Sequence, residues 1–229
     1  MRRLIATVLT VVLLSGGVAS SASATDEFDK GARSTTKASS YWVVVNKQRP
    51  LSNKKYAPSD LRTVKVAHAY APVMRDKAAT AVEKMFKAYA KTHPGKGMKS
   101  QSAYRSYSAQ VSTYSGWVSR LGKKAADLTS ARPGYSEHQT GLAIDIATAD
   151  SKCTLQACFA ATNQGKWLAK NSWKYGFVLR YPKGQTDVTG YEFEPWHYRF
   201  VGVVLATEYH AVGAKTLEGF FDLPAAKDY

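Results

Sequence analysis

Two of the five histidines lie in short motifs whose residue types suit a metal ion. Residues 136–145 read SEHQTGLAID and contain His138 and Asp145. Residues 194–197 read EPWH and end in His197. A hydrolytic zinc site takes three protein ligands and keeps a fourth position open for water. Two imidazoles and one carboxylate form such a set, so His138, Asp145 and His197 are candidate zinc ligands.

The surroundings of these residues strengthen the zinc hypothesis. Asp145 falls inside the apolar strand pattern of residues 143–146, where a carboxylate is costly to bury unless it is paired or binds a metal. Gly141 permits the chain to bend between the loop of His138 and that strand. Glu194, three residues before the second histidine, is placed to act as a general base on water. A hydrogen-bonded core histidine, an aspartate–arginine pair and a solvated Glu194 are the alternatives at this point.

The elements that position these residues are predicted from the periodicity of the apolar side chains. Because helices and short strands do not alternate regularly, we predict an α+β fold, with a small, mostly antiparallel sheet that holds the zinc site between flanking helices. The helix at 107–128 is expected to bury an apolar stripe that includes Val111 and Leu121. The pattern predicts a strand or extended segment at 41–45, strands at 98–104, 142–146, 177–181 and 198–200, and helices at 72–92, 107–128, 163–175, 201–211 and 217–221.

The N-terminal residues 1–24 have the pattern of a signal peptide. A basic start precedes an apolar run at residues 4–14, and a small-residue cleavage site ends at Ala24. Residues 25–40 are polar and small and predict a flexible leader, which leaves residues 41–229 as one catalytic domain. We expect a secreted protein of the cell envelope, outside the cytoplasmic membrane and without a stable membrane span after cleavage. An uncleaved anchor is the alternative.

The charge of the chain suggests an anionic partner. Lys and Arg number 32 against 17 Asp and Glu, which gives a net charge of +15. The basic residues are scattered rather than interleaved with aromatics on one element, so we expect anionic cell-wall polymers and no nucleic acid. The ordinary composition excludes collagen-like and wholly disordered chains. Since no heptad pattern is present, we expect a monomer.

The only two cysteines stand close together, in a loop-like stretch. Cys153 and Cys158 are five residues apart and, in an oxidising compartment, are predicted to form a disulfide that closes a short loop. A pair of free thiols is the alternative. A metal role is not expected, because no histidine or second cysteine pair lies nearby in the sequence.

Three motifs in order carry a family resemblance. Residues 136–145 match the pattern S-x-H-x-x-G-x-A-x-D, residues 194–197 match E-x-x-H with Trp196 before the histidine, and residues 104–110 are similar to Y-R-S-x-x-x-Q. On these motifs the chain resembles the VanY-type D-alanyl-D-alanine carboxypeptidases, a zinc metallopeptidase group that also includes D-Ala-D-Ala dipeptidases. The resemblance runs from about residue 44 to residue 202.

The resemblance implies a catalytic role for five residues. His138, Asp145 and His197 would bind zinc. Glu194 would activate water and then pass the proton to the leaving amine. Arg105 would hold the scissile carbonyl oxygen as charge develops on it, a task that suits a permanently charged group with several fixed donors.

The resemblance also implies contacts with the substrate. Gln110 and Ser136 match positions that would contact the substrate's backbone or its terminal carboxylate, and Trp196 would line the site or position the second histidine. A helix-surface glutamine, a turn or cap serine and a core tryptophan are the alternatives. For the terminal carboxylate, Arg132, Arg180 and Lys183 are further candidates.

We therefore expect a secreted zinc-dependent D-alanyl-D-alanine carboxypeptidase that removes the terminal D-Ala from peptidoglycan stem peptides. An endopeptidase of the same zinc group is the closest alternative, because the motifs do not fix which residues flank the scissile bond. A basic wall-binding domain without activity is another. The Ser-x-x-Lys pattern of serine enzymes occurs at Ser34 and Lys37, but in the polar leader and without a later Lys-Thr-Gly.

Overall fold

A four-stranded antiparallel sheet forms the centre of the molecule. The structure, a computed structural model, describes residues 28–229, so the predicted signal peptide and residues 25–27 lie outside the described part of the chain. The strands are β1 (Leu61–Thr63), β2 (Val73–Arg75), β3 (Met98–Ser102), β4 (Ala143–Thr148), β5 (Phe177–Leu179) and β6 (His197–Phe200). The helices are α1 (Asp76–Thr92), α2 (Tyr107–Leu121), α3 (Lys123–Thr129), α4 (Asn163–Asn171), α5 (Thr186–Thr189), α6 (Val203–Ala211) and α7 (Leu217–Phe220). This architecture confirms the α+β prediction.

The order of the central sheet is β3-β4-β6-β5, and β1 pairs with β2 in a separate ribbon. All six residues of β4 are buried. Because side chains alternate along a strand, β4 and β6 present two different faces. Ile144, Ile146, Tyr198 and Phe200 point into the main apolar core. The opposite face, which we call the polar face, carries the side chains of the residues that alternate with these along each strand.

Helix α1 covers the apolar side of the sheet. It buries a stripe of side chains spaced by three and four residues, namely Ala78, Ala79, Val82, Met85, Phe86 and Tyr89. The expected start at Pro72 is wrong, because residues 73–75 pair with residues 61–63 and are held in an extended conformation. The helix therefore begins at Asp76 and ends, as expected, before His93.

The predicted helix at 107–128 is in fact two helices, α2 and α3. Gly122 separates them with a φ of 74°, a conformation that glycine adopts without steric cost. The expectation of a buried apolar stripe is also wrong. Val111 and Leu121 are 41% and 47% exposed, and Gln110 is the buried residue of α2. The main packing partner of α2 is α3, so most of its surface faces away from the core.

The segment before the first strand packs on two cores. Residues 41 and 42 form a turn and residues 43–45 belong to no strand, so the expectation of a strand across 41–45 is wrong. Val43 lies in the main core and Trp42 in a second core beside α6 and α7. Residues 28–40 differ from the expected flexible leader. Phe28 stacks on Trp42 with ring centroids 5.5 Å apart, and Ala38 is buried. No helix within residues 28–229 has the length and apolarity to cross a membrane.

The close packing of α4 leads to a stability prediction. A Cβ atom on Gly165 would lie 2.1 Å from the carbonyl oxygen of Phe159, whereas one on Gly116 in α2 would meet nothing closer than 3.9 Å. We expect Gly165→Ala to lower the free energy of unfolding by about 1–3 kcal/mol, because backbone must move to admit the methyl group. Gly116→Ala should raise it by about 0.5–1 kcal/mol through helix propensity. Urea unfolding measures both, and equal stability of the two variants would contradict the packing.

Candidate metal centre and catalytic cleft

The three predicted ligands meet on the polar face of the sheet. The Nε2 atom of His138 lies 3.3 Å from Oδ2 of Asp145, and Nδ1 of His197 lies 3.1 Å from Oδ1 of Asp145. One ligand atom from each residue lies within 4.8 Å of the others, and all three residues are buried. The two imidazole rings are nearly perpendicular, at 89°. The arrangement leaves the three donors pointing at one common centre.

Local structure explains this convergence. Asp145 in β4 pairs directly with His197 in β6, so the two side chains leave the sheet on the same face. His138 belongs to a short 3₁₀ helix at residues 137–140, which ends at Gly141 with a φ of 67°. A Cβ atom at that glycine would lie 2.9 Å from the Leu61 side chain, so both the turn and the packing require glycine.

Hydrogen bonds orient the ligands before any metal arrives. The Nδ1 atom of His138 lies 2.6 Å from the carbonyl oxygen of Ala103, which turns Nε2 toward the centre. The hydroxyl of Ser102 donates to Oδ2 of Asp145 at 2.5 Å. His197 has the opposite orientation, with Nδ1 toward the centre and Nε2 3.5 Å from Oε2 of Glu137. Such outer partners fix the tautomer and direction of metal-binding histidines.

The donor set fits zinc. Within residues 28–229, the buried Oδ1 atom of Asp145 receives no hydrogen bond of acceptable geometry. Burial alone would raise the pKa of Asp145, but the two neighbouring histidines hold it well below its ordinary value. Burial lowers the pKa of His138, which favours the neutral ring that a metal requires. An ionised carboxylate and two imidazoles around one centre form a common zinc ligand set.

Glu194 lies beside this centre. Its Oε2 atom is 3.7 Å from Nδ1 of His197. Burial raises the pKa of Glu194 to about 8, although His197 and Arg105 oppose the shift. A carboxyl group that exchanges its proton near neutral pH can both accept a proton and return it.

Arg105 approaches the same centre from the turn before α2. Burial lowers its pKa, and the carboxylates of Asp145 and Glu194 oppose this shift. An arginine remains charged at neutral pH, so Arg105 brings a cation to the cleft. Its Nε donates to Oε1 of Gln110 at 2.6 Å, the one side-chain hydrogen bond that Arg105 makes within the described residues.

Gln110 is placed differently from the expectation. It is fully buried, does not line the cleft and donates from Nε2 to the carbonyl oxygen of Ala131 at 2.6 Å. It stands behind Arg105, one turn into α2, and holds the guanidinium rather than facing a substrate. Ser136 and Trp196 do line the cleft, and their contact with a substrate stays a prediction.

The cleft above the centre has a volume of about 380 Å³. Its floor is the metal centre with Glu194 and Arg105. One wall is α2, through Thr113 and Trp117. The facing wall is the loop at residues 155–157, and further walls come from Ser136, Trp196, Tyr181 and Tyr191.

A disulfide closes the loop that forms this second wall. Cys153 and Cys158 are bonded, with Cα atoms 5.5 Å apart, which confirms the predicted pairing. Ser151, Cys153 and Leu155 have φ angles of 62°, 56° and 51°. Residues other than glycine adopt this conformation only when their surroundings impose it. The cross-link constrains the part of this segment that contains Cys153 and Leu155.

Sequence reasoning missed a group of buried charges beneath the cleft. Glu137 accepts from Nε of Arg180 at 2.8 Å and from Nη1 of Arg199 at 2.7 Å. Arg180 also binds Glu218, and all four side chains are fully buried. Arg180 is therefore not available to hold a substrate carboxylate, and Arg132 is paired with Asp127. A signal for this group was present in the sequence: Arg180 and Arg199, like Asp145, are charged residues within apolar strand patterns.

Comparison with known proteins agrees with this geometry. Residues 71–203 match the family model described as VanY, D-alanyl-D-alanine carboxypeptidase. The putative carboxypeptidase YodJ of Bacillus subtilis is 42% identical over 165 residues, which cover 70% of this chain and 59% of that protein. A structure of the LdcB LD-carboxypeptidase is 39% identical, with a TM-score of 0.74 over 81% of this chain and 87% of that chain.

A further solved structure is that of a VanY D,D-pentapeptidase in complex with Zn(II). It is 29% identical, with a TM-score of 0.63 over 78% of this chain and 97% of that chain. The fold, the metal centre and these matches define a metallopeptidase-type domain. The family model matches more than half of this chain, so the chain belongs to the VanY D-alanyl-D-alanine carboxypeptidase family. This match confirms the expected family. The chain spans 59% of the length of the Bacillus relative.

The protonation of the centre leads to a prediction for zinc binding. Burial alone would lower the pKa of His197, but the carboxylates of Asp145 and Glu137 outweigh it and raise the pKa to about 9. A histidine must lose its proton to bind a metal, so zinc competes with protons below this pH. We expect zinc affinity to rise about tenfold per pH unit between pH 7 and 8.

Competition with a chromophoric chelator at several pH values measures this slope. Calorimetry in buffers of different ionisation enthalpy counts the protons released, and at least one proton per zinc is expected at pH 7. A zinc affinity that stays constant across this range would show that His197 is already neutral in the metal-free protein.

Proposed function

We propose that this protein is a zinc-dependent carboxypeptidase that releases the terminal D-alanine of peptidoglycan stem peptides outside the cytoplasmic membrane. The observation that carries the proposal is the convergence of His138, Asp145 and His197 on one centre, with Glu194 and Arg105 at the edge of the same cleft. Each of these five residues matches the family's motifs.

The chemistry follows from the position of each group. A zinc ion at the centre would polarise the scissile carbonyl and acidify water. Glu194 takes the proton of the attacking water and returns it to the amine of the departing D-alanine, a two-way transfer that its raised pKa favours. Arg105 donates hydrogen bonds to the carbonyl oxygen as negative charge develops on it. Gln110 keeps the guanidinium in that direction through its bond to Nε.

The bond that is cleaved has two candidates. The family description and the VanY D,D-pentapeptidase favour a peptide ending in D-Ala-D-Ala. The LdcB LD-carboxypeptidase, 39% identical over most of the chain, favours a stem peptide shortened by one residue, in which an L-configured centre precedes the terminal D-Ala. Both reactions release D-alanine and use the same machinery. They differ in the residue that enters the cleft on the acyl side.

The location follows from the sequence. The signal-peptide pattern of residues 1–24 and the disulfide both suit a protein that acts in the envelope. The net charge of +15 suits retention near anionic wall polymers. We propose that the chain acts there as a monomer.

A substrate comparison tests the assignment. We expect D-alanine release from a pentapeptide ending in D-Ala-D-Ala, lost on chelation, restored by zinc and unaffected by a β-lactam, because no serine nucleophile is involved. A tetrapeptide with one terminal D-Ala is the matched second substrate, and the ratio of kcat/KM for the two assigns D,D or L,D activity. If zinc binds but neither peptide releases D-alanine, the protein is better described as an endopeptidase, which cleavage of cross-linked peptides would reveal.

The role of Glu194 is tested by Glu194→Gln. The amide keeps the shape but cannot accept the proton of water, so kcat should fall by about 10²–10⁴-fold. Bound zinc should remain at the wild-type level, since Glu194 is not one of the three ligands. Glu208→Gln, which removes a carboxylate from α6, controls for the change in charge and should retain wild-type kcat. Full activity in Glu194→Gln would disprove the proposed mechanism.

A further inference from the structure

The buried charges beneath the metal centre form a closed, neutral group. Glu137 and Glu218 supply two negative charges, and Arg180 and Arg199 supply two positive charges. Arg180 bridges the two carboxylates, because its Nε donates to Glu137 and both terminal nitrogens donate to Glu218. The two positive charges match the two negative ones, so Glu137 remains ionised although no part of it is exposed.

One carboxylate oxygen of Glu137 is turned away from the arginines. Its Oε1 atom accepts from both Arg180 and Arg199, whereas Oε2 lies 3.5 Å from Nε2 of His197. Within residues 28–229 no other acceptor is within hydrogen-bond distance of that nitrogen. The arginines thus hold one oxygen and leave the second for the histidine.

The ring of His197 is confined on other sides as well. The Tyr181 ring lies 4.9 Å away between centroids, and the His138 ring lies 5.0 Å away. Neither ring decides which nitrogen carries the proton. The anionic oxygen of Glu137 does, because it attracts an N–H and repels a lone pair.

We propose that Glu137, held by Arg180 and Arg199, is a positioning residue that fixes the proton of His197 on Nε2 and directs Nδ1 to the metal. The inference rests on the proposed function, since it assigns a role toward the zinc ion of that site. A hydrogen bond donated by the ring N–H to a carboxylate makes the ring a stronger electron donor, so Glu137 also strengthens metal binding without touching the metal.

Zinc affinity separates this role from a merely structural one. In Glu137→Gln the charge is removed at nearly constant shape, and we expect zinc to bind about 10–100-fold more weakly. Glu218→Gln is the matched control, because it removes the other buried carboxylate of Arg180, which makes no hydrogen bond to His197. Both variants should unfold at lower temperature, whereas the control should keep zinc affinity within about twofold of wild type.

A spectroscopic measurement on the wild-type protein tests the same proposal without any variant. In zinc-loaded protein with ¹⁵N-labelled histidine, we expect His197 to bind zinc through Nδ1 and to carry a slowly exchanging, downfield-shifted proton on Nε2. Coordination through Nε2 would overturn the proposal. So would an equal loss of zinc affinity in Glu137→Gln and Glu218→Gln, which would assign Glu137 to folding alone.

These outcomes are distinct from those that test the enzyme activity. Zinc affinity and the histidine resonance are measured without substrate, so a protein that releases no D-alanine would still support or refute the role of Glu137. Conversely, zinc-dependent D-alanine release with equal zinc affinity in the two variants would support the enzyme and overturn the positioning role.

Discussion

The pairing of β4 with β6 is the constraint on which the metal centre depends. It places Asp145 opposite His197, and the alternation of side chains sends both to the polar face. A slip of one residue would bring Ile144 to the site and turn Asp145 into the apolar core. The register is therefore held by apolar burial on the other face, where Ile144 and Ile146 pack in the main core. The geometry of the metal ligands is in this sense a product of hydrophobic packing.

Buried charge is the second constraint, and the buried carboxylates are not equally well paired with positive charges. Glu137 is balanced by two arginines, and Asp145 by two histidines, so both carboxylates have pKa values well below the ordinary range. Among residues 28–229, Glu194 has no ion-pair partner other than His197, and burial raises its pKa to about 8. The carboxylate to which we assign the proton transfer is thus the one whose burial is least compensated.

The sequence predicted more of the chemistry than of the packing. Asp145 was identifiable because a carboxylate in an apolar strand pattern demands an explanation, and His138 and His197 were identifiable from the motifs around them. The α+β class followed from the mixture of helices and short strands. The burial of α2 was not predictable, because an apolar stripe shows what could be buried and not whether a neighbour covers it. Gln110 was predicted to contact the substrate for a related reason. A motif identifies the residue, but the direction of its side chain depends on where Arg105 lies.

The walls of the cleft are supplied by different elements from those that hold the metal centre. Asp145 and His197 belong to the sheet and are fixed by its register, whereas two walls of the cleft belong to α2 and to the disulfide-closed loop, which lie outside the sheet. Trp117 and Leu155 face the cleft from these walls, and Leu155 is 41% exposed. Apolar side chains in such positions gain burial when a ligand lies between them. In the proposed enzyme, changes in these walls would alter which peptide is bound while the three proposed zinc ligands stay in place, so selectivity and catalysis would be carried by separate parts of the fold.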